Sequence, residues 1–223
     1  MKTTDRAASI KDIRERHNYW NEVYSRKSAK ISPNFPSQFA AFCVSEIFEN
    51  GVDQVIDLAC GNGRDTLFFA RHGFNVLAIE KSQSAIDYLA ESKTHENIFA
   101  VANLDLVNDQ LPVSKINNTR SAFYSRFFIH TLQTEEVVKF FENISTVMKT
   151  DEILMLEYRN HHDSNKFKYF DNHFRAYYKT QFISEIAQAN NLECYYAIEG
   201  IGFAKWRGED PSVTRQIFKK TGT

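Results

Sequence analysis

The chain has 223 residues, 43% hydrophobic and 25% charged, which is enough apolar material for one large core. Its formal net charge of -1 lacks the basic excess of a nucleic-acid-binding surface, and no apolar run approaches the roughly 18 residues of a membrane span. The scattered Cys43, Cys60 and Cys194 show no C-x-x-C spacing and the N-terminus is polar, so we expect reduced thiols, a cytoplasmic chain, no membrane insertion and no metal.

Residues 1–8 read as frayed. Ser9 and Asp12 are placed to cap a first helix on which Ile10, Ile13, His17, Trp20 and Tyr24 share a face. A polar connector with Pro33 and Pro36 leads to Ser37, the expected cap of a second helix with Phe39, Phe42, Cys43 and Ile47 inward and Gly51 as its stop.

From Val52 the pattern alternates strand and helix. The strand Gln54–Leu58 carries Asp57, passes through Ala59-Cys60-Gly61-Asn62-Gly63 and enters a helix spanning Asp65–His72. A dinucleotide-binding turn has a third glycine where Thr66 stands, and it seats a diphosphate on the free N–H groups of a helix start. Here Asp65 brings a carboxylate to that place and Asp57 adds negative charge beside it. The loop therefore suits a cationic ligand that carries a ribose and no phosphate, a description met by S-adenosylmethionine (SAM). The next strand, Asn75–Ile79, ends at Glu80, about 20 residues past the glycine loop, where an acid accepts from both ribose hydroxyls.

Ser82 caps a helix with Ala85, Ile86 and Leu89 inward, and a third strand, Ile98–Ala102, leads to Asn103-Leu104-Asp105-Leu106. After a loop with Pro112, Ser121–Ser125 reads as the fourth strand and Arg126 to His130 as the loop at its carboxyl end, where open parallel sheets bind ligands. An amphipathic helix, Glu135–Met148, turns Val138, Phe141, Ile144 and Val147 inward. The fifth strand, Glu152–Leu156, runs into a loop from Glu157 to Asp163, then an aromatic and basic segment with His173 and Arg175. A helix at Thr180–Ala189, a strand at Glu193–Ile198, the connection 199–211 and a last strand at Val213–Lys219 complete the chain. An antiparallel last strand would put residues 199–211 on the face of the glycine loop, as a wall of the substrate pocket.

The stretch Asp57-Leu58-Ala59-Cys60-Gly61-Asn62-Gly63 resembles motif I of the class I SAM-dependent methyltransferases, with Ala59 where the family carries its first glycine. Cys60 to Asp65 and Phe69 to Gly73 are similar to the small-molecule branch containing tellurite-resistance and thiopurine methyltransferases. Tyr124 to His130, Glu157 to Arg159, Glu199 to Ala204 and Glu209 to Pro211 are similar to methyltransferases of cell-surface polysaccharide biosynthesis. The resemblance implies an α/β, Rossmann-like doubly wound fold. Its seven-stranded sheet would be mostly parallel with an antiparallel last strand over residues 51–223, under an N-terminal helical lid at residues 1–50. It implies SAM contacts from Asp57, Ala59, Gly61, Gly63, Asp65, Glu80, Lys81, Tyr124 and the lid residues Tyr19 and Trp20. Asp105 would take the adenine amino group, with Leu104 and Leu106 against the ring. The loop at Arg126 lacks the Asn/Asp-Pro-Pro-Tyr/Phe sequence of enzymes that methylate nucleobase amines, which argues against a DNA amino-methyltransferase.

Methyl transfer from a sulfonium needs collinear positioning above all, and a base only where the nucleophile is a hydroxyl. His130, the best placed, and His161, His173 and Asp163 are candidate bases. Arg126, Arg159 and Arg175 offer guanidinium forks to a phosphate or carboxylate. The expected activity is methylation of a small molecule or glycan, on the oxygen of an anionic sugar or sugar phosphate. A detoxifying thiol or metalloid methyltransferase and a non-catalytic SAM-binding module are the alternatives. A nicotinamide oxidoreductase is disfavoured by Asp65 and Thr66. The sequence leaves the oligomeric state open.

Overall fold

The computed structural model describes residues 13–25, 35–91, 96–112, 119–166, 168 and 173–222. The expected cap at Ser9 and Asp12, with Ile10 and Pro33, lies outside these residues, as do the side chains of Ile13 and His17.

Short apolar runs form a parallel array whose central strands are buried on both faces, which removes the polar alternation of a half-exposed strand. β1 (Gln54–Leu58) is buried at every position. β2 (Asn75–Glu80) and β3 (Ile98–Asn103) lie on one side of it, β4 (Ser121–Arg126) and β5 (Ile153–Arg159) on the other. β7 (Val213–Lys220) pairs antiparallel with β5, and β6 (Leu192–Gly200) pairs antiparallel with β7 at the edge. The order is β3-β2-β1-β4-β5-β7-β6, the expected seven-stranded sheet with only its last strand in chain order reversed. Strand order reverses between β1 and β4, which pair from Gln54↔Ser121 to Leu58↔Ser125, so a crevice opens beyond their carboxyl ends.

Six helices flank the sheet among the described residues: α1 (Ile13–Ser25), α2 (Gln38–Glu49), α3 (Arg64–Arg71), α4 (Gln83–Glu91), α5 (Thr134–Val147) and α6 (Thr180–Ala189). Alternate strand residues feed two cores. Ile56, Leu77, Phe123 and Leu154 meet Phe140, Phe141 and Ile144 of α5 and Ile183 of α6 on one face. Val55, Val76, Ala122 and Met155 meet α2 and α3 on the other, through Phe39, Cys43, Ile47 and Phe69.

The structure departs from the sequence reading in two places that matter. β5 continues to Arg159, so Glu157 and Arg159 belong to a fully buried strand and not to a loop. The buried stripe of α5 runs through Val137, Phe140, Phe141, Ile144 and Val147, because two adjacent phenylalanines both seek the core and rotate Val138 out of it. Among the described residues, no helix is long and apolar enough to cross a membrane.

α2 starts as expected. Ser37 is extended at φ -65 and ψ 153, and its Oγ accepts from Ala40 N. Phe39, Ala40, Cys43 and Ile47 are all fully buried, so this helix is a layer of the sheet's own core. Phe39→Ala is therefore expected to cost about 3–5 kcal/mol, read from the urea midpoint. A loss below about 1 kcal/mol would mean that α2 is a peripheral cap.

Candidate active site

A cavity of about 630 Å³ lies beyond the carboxyl ends of β1, β2, β4 and β5, large enough for a cofactor and a small acceptor. One end is built by the β1–α3 loop. Gly61 takes φ 57 and lines the cavity, and a Cβ there would lie 2.5 Å from the Tyr24 hydroxyl. Ala59 holds the left-handed φ of 58, so the family's glycine position keeps its backbone shape at some steric cost. Gly63 does not line the cavity. It caps α3 at φ 77 and packs on Leu89.

The carboxylates around this loop are organised in detail. Asp65, in the first turn of α3, accepts from Ser37 N (2.8 Å), Ser37 Oγ (2.8 Å) and the Tyr124 hydroxyl (2.8 Å), and pairs with Arg64 Nε at 3.1 Å. Burial raises its pKa, but Arg64 and Arg126 outweigh that and hold it below the usual carboxylate value, so it stays ionised. Asp57 accepts from Thr66 Oγ1 at 2.6 Å, and burial lifts its pKa to about 7. Thr66, which replaces the third glycine, thus has a task of its own. Glu80 accepts from Gly61 N (3.0 Å), Lys81 N (2.8 Å) and Ser82 N (2.8 Å), fixing the loop against the end of β2. Burial is also the main force raising the Glu80 pKa. Asp105 is bound to Lys81 Nζ (2.7 Å), Asn108 Nδ2 (2.8 Å) and Val107 N (3.0 Å) at the rim, with Leu104 and Leu106 beside it on the wall. A row of carboxylates on an apolar wall fits the charge and shape of SAM.

α1 closes one side. Trp20, Val23 and Tyr24 line the cavity, and Asn21 Oδ1 accepts from Ser82 Oγ at 2.7 Å. Tyr19 does not reach the cavity. Its hydroxyl lies 3.2 Å from His173 Nδ1, and the His173 ring packs against both Tyr19 and Trp20 with centroid distances of 5.0 Å.

The other end is cationic. Arg126 Nε meets Glu157 Oε1 at 2.7 Å, and Arg215 Nε meets Glu157 Oε2 at 2.8 Å. Arg159 pairs with Asp163 (2.8 Å) and with Glu209, while Lys168 shares Asp163 at 3.1 Å. Phe127, itself at φ 58, slides its ring under Arg126 (4.1 Å) and Arg159 (5.4 Å). Arg175, Lys205 and Arg207 complete this lining. The expected wall from 199–211 is present as Ala204, Lys205, Trp206, Arg207 and Glu209.

His130 and His173 both line the cavity, but neither suits the role of base. His130 Nδ1 accepts from Arg159 N at 3.3 Å, which leaves the neutral ring's proton on Nε2. Burial, then Arg159, His173 and Arg175, push its pKa well below the ordinary value. Burial and the same arginines lower His173 to about 3. Asp163 is fully buried and occupied by Arg159, Lys168 and Ser212 N, and His161 is not part of the lining, so these two candidate bases are not in play. Sequence reasoning missed Glu157, Glu209, Lys168, Arg215 and Phe127. An acid inside the apolar run from Ile153 to Tyr158 was the available signal for Glu157.

The contrast between two glycines tests the loop. A Cβ on Gly63 would fall 2.3 Å from Cδ1 of Leu89, which is fully buried, while one on Gly73 (φ 89) would meet open space. Gly63→Ala is expected to cost about 1–3 kcal/mol more than Gly73→Ala in urea unfolding. Equal losses would show that the packing of α4 on the loop is slack.

The match to known proteins follows this geometry. Residues 44–190, more than half of the chain, match the family model described as tellurite resistance protein TehB. No curated protein matches the chain in sequence. A TehB-like SAM-dependent methyltransferase from Corynebacterium glutamicum superposes with a TM-score of 0.65 at 17% identity, covering 92% of this chain and 100% of that one. TehB from Haemophilus influenzae gives 0.60 at 15% identity, covering 92% of this chain and 67% of that one. The DhpI–SAH complex gives 0.63 at 14% identity, covering 93% and 96%. The chain belongs to the TehB family, and with it to the class I SAM-dependent methyltransferases.

Proposed function

We propose that this enzyme methylates a small anionic acceptor, at the carboxylate or phosphate oxygen of an acidic or phosphorylated sugar. The observation that carries this reading is the charge count at the acceptor end. Arg126 and Arg159 line the cavity with Glu209 and Glu136, and behind them Lys168 and Arg215 share the buried Glu157 and Asp163. Arg175, Lys205 and Arg207 add further positive charge along the lining. The depressed His130 and His173 pKa values, lowered first by burial and then by arginines, report the same field. Because both imidazoles are poor bases, the acceptor that suits the pocket is one whose nucleophile arrives ionised.

In this reading Asp57, Ala59, Gly61, Glu80, Asp105, Leu106, Tyr124 and Trp20 line the SAM end, with Asp65 and Lys81 holding its wall. SAM supplies an activated methyl group when bound. The protein's part is orientation. Arg175 and Lys205 steer the anion, His130 donates from Nε2, and α1, braced on His173 by Tyr19, excludes water. We propose residues 1–50 as a cap whose lid action rests on α1, α2 being core.

A second reading, transfer to a thiolate or metalloid oxyanion, is supported by the family match, whose description speaks of tellurite resistance. The same cations would attract either anion. A SAM-consumption assay across acidic sugars, sugar phosphates, thiols and metalloid oxyanions separates the two readings.

Arg126 and Arg159 are poor probes, since removing either takes a partner from a buried, shared carboxylate and disturbs the wall itself. Arg175→Gln and Lys205→Gln are the better test. Each is expected to raise the acceptor KM about 10–100-fold while SAM affinity holds. A fall in SAM affinity with an unchanged acceptor KM would reverse the assignment of the two ends.

The Asp57 pKa of about 7 gives a pH signature. A cationic ligand favours the carboxylate, so below pH 7 binding must first displace a proton. SAM affinity is expected to fall up to about tenfold per unit as pH drops below 7, to level off above it, and to lose this dependence in Asp57→Asn. A flat profile in the unaltered protein would remove Asp57 from contact with the ligand's charge.

A further inference from the structure

Outside the cavity, a turn directly after β5 brings His161 and His162 together. Asn160 caps it by accepting from His162 N at 3.1 Å, and the two imidazoles lie with centroids 3.8 Å apart. Glu199, near the end of β6, approaches the pair, its Oε2 3.8 Å from His162 Nε2. One ligand atom from each of the three residues falls within 4.8 Å of the others. Thr180 Oγ1 donates to Glu199 Oε1, which orients the carboxylate and leaves Oε2 toward the rings. His161 Nδ1 is buried with no hydrogen-bond partner, the kind of orphan a bound ion would satisfy.

We propose that His161, His162 and Glu199 form a binding site for a divalent transition cation of the zinc class. Two imidazoles and one carboxylate suit Zn²⁺, Co²⁺ or Ni²⁺ and are a poor set for Ca²⁺ or Mg²⁺, which prefer oxygen. Tetrahedral ligands at about 2.0–2.2 Å from zinc stand about 3.4 Å apart, so the three groups need to close by little more than an ångström. His162 is exposed and can turn toward the Glu199 carboxylate that Thr180 holds in place. The ion would latch the turn to β6. The same turn carries Asp163, which holds Arg159 and Lys168 at the acceptor end, so metal binding would stiffen that wall without entering the methyl-transfer site.

The test uses the full chain without an affinity tag. Calorimetric titration with Zn²⁺ is expected to show saturable binding of one ion per chain and a raised thermal midpoint, and Co²⁺ is expected to give the visible bands of a nitrogen-ligated site. His162→Ala and Glu199→Gln should each weaken Zn²⁺ binding by about 10–100-fold and leave SAM affinity unchanged. His72→Ala, at an exposed histidine that caps the C-terminal end of α3, should leave both unchanged. Absence of saturable uptake would overturn the proposal. So would uptake that survives both ligand substitutions or that His72→Ala abolishes.

Discussion

The site depends on one buried carboxylate. Asp65 sits in the first turn of α3 and gathers the backbone and hydroxyl of Ser37, the phenol of Tyr124 and the guanidinium of Arg64. These donors come from the start of α2, from β4 and from α3 itself, so a single side chain fastens three elements around the crevice. Burial would favour the neutral acid, and the neighbouring arginines keep it charged. Its negative charge lies in the first turn of α3, at the positive end of the helix dipole, where an incoming diphosphate would meet repulsion. The same residue holds the start of α2 to the sheet.

From this anchor the cavity polarises into two ends. Carboxylates of β1, β2 and the β3 loop collect on one side, and arginines and lysines of β4, β5 and the 199–211 connection on the other. A water-poor cleft lengthens the reach of such fields. The cations at the second end are held in shared ion pairs, which fixes their geometry. Such buried pairs are costly to assemble, so the balance of seven-stranded packing and two apolar cores has to carry them.

Much of the fold was legible because its signals are local. The alternating runs gave β1 to β4 with small errors at their ends, Ser37 and Gly51 marked the bounds of α2, and the loop from Asp57 to Asp65 pointed to the cofactor class. The reading failed where tertiary pairing overrides local chemistry. Glu157 and Arg159 look like loop residues by charge, yet they complete a buried strand because Arg126, Arg215 and Glu209 come from distant parts of the chain, and Asp163 from the next turn, to neutralise them. His130 looked like a base from its position alone. Its tautomer depends on the N–H of Arg159, which no pattern in the sequence announces. Gly63 belonged to the motif, and its φ and the closeness of Leu89 give it a packing reason to be glycine that the sequence does not show.

The most direct measurement is a paired calorimetric titration of the protein with SAM and with NAD. With Asp65 ionised at the helix start, SAM is expected to bind one to a chain and NAD to give no heat and no competition. Binding of NAD in the cleft with exclusion of SAM would contradict the account at its centre.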